Sequence, residues 1–342
     1  MSKILVTGGT GYIGSHTAVE LLDEGMEVVI LDNLSNSERE VLDGITSITG
    51  TRPHFEEVDL RDRKATFGVF EKHPEISAII HFAAFKAVGE SVEKPLAYYE
   101  NNLLSLIHLL EAMKLFQVDH MVFSSSCTVY GEPDQLPVTE TAPIKKAGSP
   151  YGNTKQICEE ILQDTMHSLE GKGVISLRYF NPIGAHASAK IGELPIGIPN
   201  NLVPFITQTA AGIREYLRVY GDDYNTPDGS AIRDYINVVD LARAHVSAIR
   251  RLLEQKQKSA YEVFNLGTGS GLSVFEVIKA FEKSTGQKLA YKVVGRREGD
   301  IEKVWADTSH ANDELGWKAE KGIEESLQSA WKWEMHIRSK KQ

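Results

Sequence analysis

Cysteine is scarce: the 342 residues include only Cys127 and Cys158, and neither has a Cys-x-x-Cys partner. That excludes a disulfide framework and a thiolate metal site, and makes a reduced, cytoplasmic setting the expectation. The 11 histidines are scattered with no His-x-x-x-His pair, so no metal is expected. No apolar run approaches the ~20 residues that cross a bilayer. Met1-Ser-Lys-Ile-Leu-Val6 reads as a strand at once, leaving no signal peptide, so no membrane partner is expected. Positive charge is also short. Against 47 Asp and Glu stand 37 Lys and Arg, a net charge of −10, which speaks against general nucleic-acid binding. Any phosphate must then be held by local groups. Internal repeats and low-complexity tracts are missing too. What remains is an ordinary soluble composition, 42% hydrophobic and 25% charged, in a chain long enough for one large domain or two closely joined ones.

The first organised stretch is an apolar run, Lys3 to Thr7, followed by Gly8-Gly-Thr-Gly11-Tyr-Ile-Gly14 and an amphipathic segment to about Glu24. Strand, glycine turn and helix in that order bring a backbone close to a pyrophosphate, with Gly8, Gly11 and Gly14 at the required spacing. A second strand, Glu27 to Leu31, ends in Asp32, 18 residues past Gly14 (32 − 14). A carboxylate there accepts the adenosine ribose hydroxyls and repels a 2′-phosphate, so the reading is NAD and not NADP.

The alternation continues with a helix (Ser37 to Ile48), strand (His54 to Val58), helix (Arg63 to Lys72), strand (Ala78 to Phe82), long helix (Pro95 to Phe116) and strand (Met121 to Ser124). A helix at Tyr151 and a strand from Val174 to Arg178 follow. This order predicts an α/β fold: a doubly wound parallel sheet of Rossmann type, with ligands at the C-terminal strand ends. Residues 182–234 are rich in Gly, Pro and Asn and read as loops and short elements of a substrate lid. Tyr235 to Asn265 returns to the sheet with a helix (Asp240 to Glu254) and a strand (Glu262 to Asn265). Helices near Ser273 to Thr285, Ala311 to Leu315 and Ile323 to Trp333 complete a smaller C-terminal α/β substrate domain. The expected division is 1–181 with 235–266, against 182–234 with 267–342.

Within Ser149-Pro-Tyr-Gly-Asn-Thr-Lys155, Tyr151 and Lys155 fall one helical turn apart on one face, after a serine cap and a first-turn proline. A tyrosine needs its pKa lowered by about three units, about 4 kcal/mol, to act as a base at neutral pH. An ammonium ~4 Å away supplies about that at an effective dielectric of ~20. Alone, Tyr-x-x-x-Lys is a common spacing; the dinucleotide turn upstream gives it meaning.

Six stretches together resemble the extended short-chain dehydrogenase/reductases and, within them, the UDP-glucose 4-epimerase family. They are Gly8-Gly-Thr-Gly-Tyr-Ile-Gly-Ser-His16, Lys86-Ala-Val-Gly-Glu-Ser91, Phe123-Ser-Ser-Ser-Cys-Thr-Val-Tyr-Gly131, Tyr151-x-x-x-Lys155, Arg178-Tyr-Phe-Asn-Pro182 and Arg296-Arg-Glu-Gly-Asp300. The resemblance runs from about Lys3 to past Trp331. It implies that Tyr151 takes the proton of a sugar 4-hydroxyl while hydride passes from C4 to NAD, that Lys155 lowers the Tyr151 pKa and bonds the nicotinamide ribose, and that Ser126 bonds the 4-oxygen. The 4-keto sugar then swings about its phosphate linkage and takes the hydride back on its other face. The cofactor is regenerated each turnover.

By the same resemblance, NAD would meet Tyr12, Ile13, Asp32, Asn33, Leu34, Ser35, Asn36, Ser37, Asp59, Leu60, Phe82, Ala83, Ala84, Phe85, Lys86, Asn101 and Phe180, along with Ser126, Tyr151 and Lys155. The UDP-hexose would meet Asn181, Asn201, Leu202, Arg218, Val219, Tyr220, Arg233, Arg297, Asp300 and Val304, along with Ser126 and Tyr151. Arg233 and Arg297 are the diphosphate clamps, because a guanidinium binds phosphate bidentately; Arg296 reads as solvated. Tyr220 lies against the uracil or packs in the core. Related 4,6-dehydratases carry an Asp-Glu pair just after the hydroxyl residue, where this chain has Cys127-Thr128, so dehydration is disfavoured. Some members place a bulky tyrosine at the position of Val304; the smaller wall here leaves room for an N-acetyl group, so UDP-N-acetylglucosamine is an expected substrate beside UDP-glucose. A homodimer through helices on the sheet's face is expected. Two other readings stay open, a uronate epimerase or decarboxylase of the same fold and a non-catalytic NAD sensor.

Overall fold

The structure, a computed structural model, describes residues 2–297 and 300–339. Its first part alternates as read: β1 (Lys3–Thr7), α1 (Tyr12–Asp23), β2 (Glu27–Asp32), α2 (Val41–Thr49), β3 (His54–Glu57), α3 (Arg63–Lys72), β4 (Ile76–His81), α4 (Val88–Glu93), α5 (Pro95–Leu115), β5 (His120–Ser124), α6 (Pro150–Ser168) and β6 (Gly173–Tyr179). Then come β7 (Asn181–Ile183), α7 (Leu202–Ala210), β8 (Leu217–Tyr220), β9 (Ile232–Arg233), β10 (Tyr235–Asn237), α8 (Val238–Leu253) and β11 (Tyr261–Leu266). The last elements are β12 (Leu272–Ser273), α9 (Val274–Thr285), β13 (Tyr291–Val294), β14 (Lys303–Val304), α10 (Ser309–Leu315) and α11 (Ile323–Ser339).

Seven strands form one parallel sheet in the order β11-β6-β5-β4-β1-β2-β3. The chain works outward from β1 in one direction, then crosses to β4 and works outward in the other. The reversal between β1 and β4 opens a crevice at the C-terminal strand ends, where such sheets bind ligands. Both faces are covered, which is why the strands read as unbroken apolar runs. In β1, Ile4 and Val6 face the layer of α1, α2 and α8, and Leu5 faces α3, α5 and α6.

A separate apolar cluster joins Ile183, Val203, Ile206, Val219, Phe281 and Leu327, drawn from segments on both sides of the return to the sheet. Small sheets edge it, β8 with β13 and β9 with β12 and β14. Ala311 and Trp317 pack with the large sheet instead.

Three local readings differ from the structure. The helix expected from Ser37 begins at Val41, because the Ser37 hydroxyl is bound to Asp32 and Thr10. The six-residue α4 was not read at all. Residues 182–234 hold a full helix, α7, besides their loops.

Candidate active site

The turn after β1 is a cradle shaped by missing side chains. Gly8 has φ +68°, and a Cβ on it would lie 2.8 Å from the Ala83 nitrogen. A Cβ on Gly14 would lie 2.3 Å from the Gly8 carbonyl oxygen, and one on Gly11 would lie 3.1 Å from the same atom. No side chain caps α1, so its positive end is free to receive an anion. Ile13 packs on the sheet, and the Tyr12 hydroxyl donates to the Gly184 carbonyl at 2.6 Å.

Asp32 is buried at the end of β2 and accepts from the Thr10 N–H (3.2 Å), the Leu34 N–H (3.0 Å) and the Ser37 hydroxyl (3.2 Å). Leu34 takes the left-handed conformation, φ +57°, that this turn demands. The Ser35 N–H donates to Asn33, and Asn36 is exposed. The Asn33 amide donates to Asp59 at 3.2 Å. Arg61 grips Asp59 and holds its carboxyl down at about 2. Leu60 is a core residue whose carbonyl, not its side chain, makes polar contact, accepting from His108 at 2.7 Å.

Beyond β4, the Phe82 and Ala83 N–H groups donate back to Thr7. Phe82 packs on His245, with ring centroids 4.6 Å apart. Ala84 leads to Phe85, whose N–H donates to Asn102 at 2.8 Å; Asn102 also bonds Asn101 and Thr154 of α6. The Lys86 ammonium lies 3.7 Å from Glu193.

Ser149 and Pro150 open α6 as the sequence indicates, the serine oxygen accepting from the Gly152 N–H at 3.1 Å. Tyr151 and Lys155 are both buried. The Ser126 oxygen accepts from both the N–H (3.2 Å) and the hydroxyl (3.0 Å) of Thr128. That leaves its own proton free of Thr128, and Ser126 acts on the buried Tyr151 in the direction of the phenolate. The Lys155 ammonium donates to the Ser124 carbonyl at 2.6 Å and lies 4.7 Å from the centre of the Phe123 ring.

The expected depression of the Tyr151 pKa is not what this geometry gives. Burial pushes the phenol up, and Tyr179 and Cys127 push the same way. Burial brings Lys155 down to about 8, with Cys158 and Glu159 opposing. Desolvation acts on both groups in the direction of their neutral forms. Cys127 lies in the same pocket, its thiol pushed up to about 12 by burial.

The remaining candidates come from residues 180–304. Phe180 and Val304 share an apolar cluster with Val129 and Val138, and Val304 pairs in register with Arg233. Asn181 lies in β7, its N–H bonded to the Asp234 carbonyl. Asn201, just before α7, donates to Glu193 at 2.6 Å, and Leu202 packs in the smaller core. Along β8 the side chains alternate: Val219 is core, while Arg218 and Tyr220 point out. Tyr220 is not a core residue; it lies 5.5 Å beneath the Arg297 guanidinium. Arg233 and Arg297 converge on Asp300, at 3.8 and 2.6 Å. Arg296 turns away to Asp223 and the Tyr224 ring, so it is paired and not merely solvated. Thr10, Thr128, Asn102 and Glu193 were not singled out from sequence. Thr10 and Thr128 lie inside motifs that were, so adjacency was their one signal.

A glycine cradle at the switch of a doubly wound sheet, with a serine, tyrosine and lysine buried beside it, defines the class of dinucleotide-dependent short-chain dehydrogenase/reductase folds. The family model for GDP-mannose 4,6 dehydratase matches residues 5–330. A UDP-glucose 4-epimerase of Bacillus subtilis is 53% identical over 332 residues, 97% of this chain and 96% of its own. A UDP-glucose 4-epimerase structure from Stenotrophomonas maltophila, solved with bound NAD and formylated UDP-arabinopyranose, superposes with a TM-score of 0.96 at 47% identity, covering 99% of this chain and all of that one. The Bifidobacterium longum enzyme, solved with NAD+ and UDP, gives 0.94 at 46% identity, covering 98% of this chain and 99% of that one. The chain belongs to the UDP-glucose 4-epimerase family.

Proposed function

We propose that the protein inverts the C4 centre of UDP-hexoses, interconverting UDP-glucose and UDP-galactose through a 4-keto intermediate with NAD retained. The observation that carries this reading is the burial of Ser126, Tyr151 and Lys155 next to the glycine cradle at the crevice of the sheet. The residues fit the cofactor: the cradle is too narrow for any Cβ, and Asp32 offers a carboxylate to a ribose. Held there, NAD supplies a hydride acceptor and donor, and a positive ring.

Tyr151 takes the 4-hydroxyl proton and returns it to the same 4-oxygen once C4 has been reduced on its opposite face. In a pocket that holds the phenol neutral, an added positive charge favours the phenolate, and removal of that charge favours return of the proton. Ser126, with its oxygen saturated by Thr128, directs its proton to the sugar 4-oxygen. Lys155, fixed on the Ser124 carbonyl, keeps its ammonium in place at neutral pH. Arg297 would take the diphosphate with the fork it now closes on Asp300 at 3.1 and 2.6 Å, Arg233 would join it from 3.8 Å off the same carboxylate, and Asn201 would exchange Glu193 for the nucleotide. Val304 as a small wall extends the substrate range to UDP-N-acetylglucosamine.

Incubating the protein with UDP-galactose and no added NAD should yield UDP-glucose. No conversion by protein that contains NAD would defeat the reading. UDP-N-acetylglucosamine should also be turned over; a rate at background, with UDP-glucose converted, would remove the Val304 argument alone.

We also read residues 1–181 with 235–266 as the NAD-binding unit, and 182–234 with 267–342 as the UDP-sugar unit; the separate apolar cluster supports this. The homodimer reading is supported by Val92, Leu96 and Ile107, apolar and exposed on α4 and α5. Sedimentation as a monomer at micromolar concentration would count against it. Two unpaired cysteines support a cytoplasmic setting.

A further inference from the structure

The three groups of the proposed chemistry come from two elements: Ser126 from the turn after β5, Tyr151 and Lys155 from α6. Helix and turn are joined by a buried polar network that the mechanism above does not use. Glu159, one turn beyond Lys155, accepts from the Ser125 hydroxyl, the residue before Ser126. The same carboxylate takes the Arg178 guanidinium of β6 through Nε at 3.0 Å and Nη2 at 2.6 Å. Arg178 lies over the Tyr130 ring at 4.8 Å and donates to its hydroxyl at 2.9 Å, and that hydroxyl donates to Asn265 of β11 at 2.7 Å. Tyr130 ends the short 3-10 turn that Ser126 caps. One carboxylate thus ties both ends of the serine turn to the helix that carries the base.

We propose that Glu159 is a positioning residue for this site: its carboxylate fixes the distance between the Ser126 hydroxyl and Tyr151 and keeps a negative charge one turn from the Lys155 ammonium. The proposal rests on the 4-epimerase reading and deepens it. The bidentate pair is rigid because it is desolvated, with Glu159 and Arg178 side chains only 9% and 7% exposed. A half-broken network of this kind leaves a buried guanidinium uncompensated. The charges that face the pair are few and identifiable. Lys155 and Cys158 come from α6 itself, Tyr130 from the serine turn and Tyr261 from β11, Arg178 also donates to the Glu140 backbone carbonyl, and His81 of β4 faces Lys155. Cys158 and Glu159 oppose the loss of the Lys155 proton, and Glu159 is the carboxylate of the two.

The test compares wild type, Glu159→Gln and Ser125→Ala in kcat, KM and the pH profile of kcat/KM for UDP-galactose, with melting curves and NAD content measured alongside. Glu159→Gln removes the charge and keeps the shape. Its kcat should fall about tenfold with KM within about twofold, and the alkaline limb of kcat/KM should move down by about one pH unit. Ser125→Ala removes one arm and no charge. Its kcat should fall severalfold, with the alkaline limb, KM and NAD content of wild type. A Glu159→Gln protein that melts lower yet keeps the wild-type kcat and alkaline limb overturns the proposal and leaves a purely structural ion pair. Should Glu159→Gln not fold, Ser125→Ala decides: lowered kcat at unchanged KM supports the proposal, and wild-type kcat overturns it. An inactive wild type overturns the 4-epimerase reading and this proposal with it.

Discussion

Replacing Gly14 with alanine should separate the cofactor cradle from the rest of the fold. The new Cβ would sit 2.3 Å from the Gly8 carbonyl oxygen, 2.9 Å from Gly9 Cα and 3.0 Å from the Gly8 carbonyl carbon. All three are backbone atoms, so no flexible side chain can move aside. Ordinary contact begins at 3.4 Å, so the turn and α1 must part by about 1 Å (3.4 − 2.3 = 1.1). Overpacking of this size costs about 1–3 kcal/mol, and at about 2–4 °C per kcal/mol for large domains the melting temperature should fall by about 2–12 °C. The effect on the dinucleotide should be larger in proportion. One charge-assisted hydrogen bond lost to a displaced N–H is worth about 1.5–3 kcal/mol, roughly 10- to 100-fold in affinity. The control is Gly68→Ala in α3, where a Cβ meets nothing within 4 Å and the helix should gain a few tenths to about 1 kcal/mol. The assay is NAD content of the purified proteins with melting curves taken with and without added NAD. Gly14→Ala protein that keeps stoichiometric NAD and the wild-type melting temperature would refute the cradle.

Three other outcomes follow from named groups. Tyr151→Phe should keep NAD and melt within a few degrees of wild type, since the ring still packs, while turnover falls ~10²- to 10⁴-fold; unchanged turnover would dismiss the base. His16, His81 and His245 are buried and neutral, lowered by burial to about 3, 3 and 4. As pH falls below the ordinary histidine value near 6.5 the unfolded chain takes protons that the folded one refuses, so stability is full above that value. It is lost at up to about 1.4 kcal/mol per histidine per pH unit on the way to about 4; melting temperatures at pH 7.5 and 5.5 that coincide would contradict this. Cys127, held up at about 12, has a thiolate fraction of roughly 10⁻⁴ at pH 8, and iodoacetamide at that pH should leave activity intact over an hour; rapid inactivation reversed in Cys127→Ser would show the thiol to be exposed and reactive.

Local spacing made much of the molecule readable. The four-residue interval of Tyr151 and Lys155, the glycine triplet and the strand periodicities are all short-range, and the corresponding elements stand within a few residues of where they were read. What could not be read is whatever depends on the distant chain. The sequence argument set the Lys155 charge against the Tyr151 proton and ignored water. In the fold the ammonium is committed to the Ser124 carbonyl, and burial pushes the phenol up, so the shift runs opposite to the expectation. Helix α2 starts late for a similar reason: Ser37, a good cap by composition, is claimed by Asp32. The meeting of Arg233 with Arg297 spans 64 residues (297 − 233) and has no local signature.

Burial also sorts the charges by task, which composition cannot do. Arg178 and Glu159 are nearly dry, and parting them would strand a charge in low dielectric, so that pair can hold a shape but cannot trade partners. Arg297, with 57% of its side chain exposed, is different. Its partner Asp300 is only 15% exposed, so an anion that exchanged for the carboxylate would have to leave it on Arg233, 3.8 Å away. In a chain of net charge −10 such an exchange would matter: the arginines would stay neutralised and close together until an anion with better geometry displaced the carboxylate, and recognition would depend on the bidentate fit and not on a positive field.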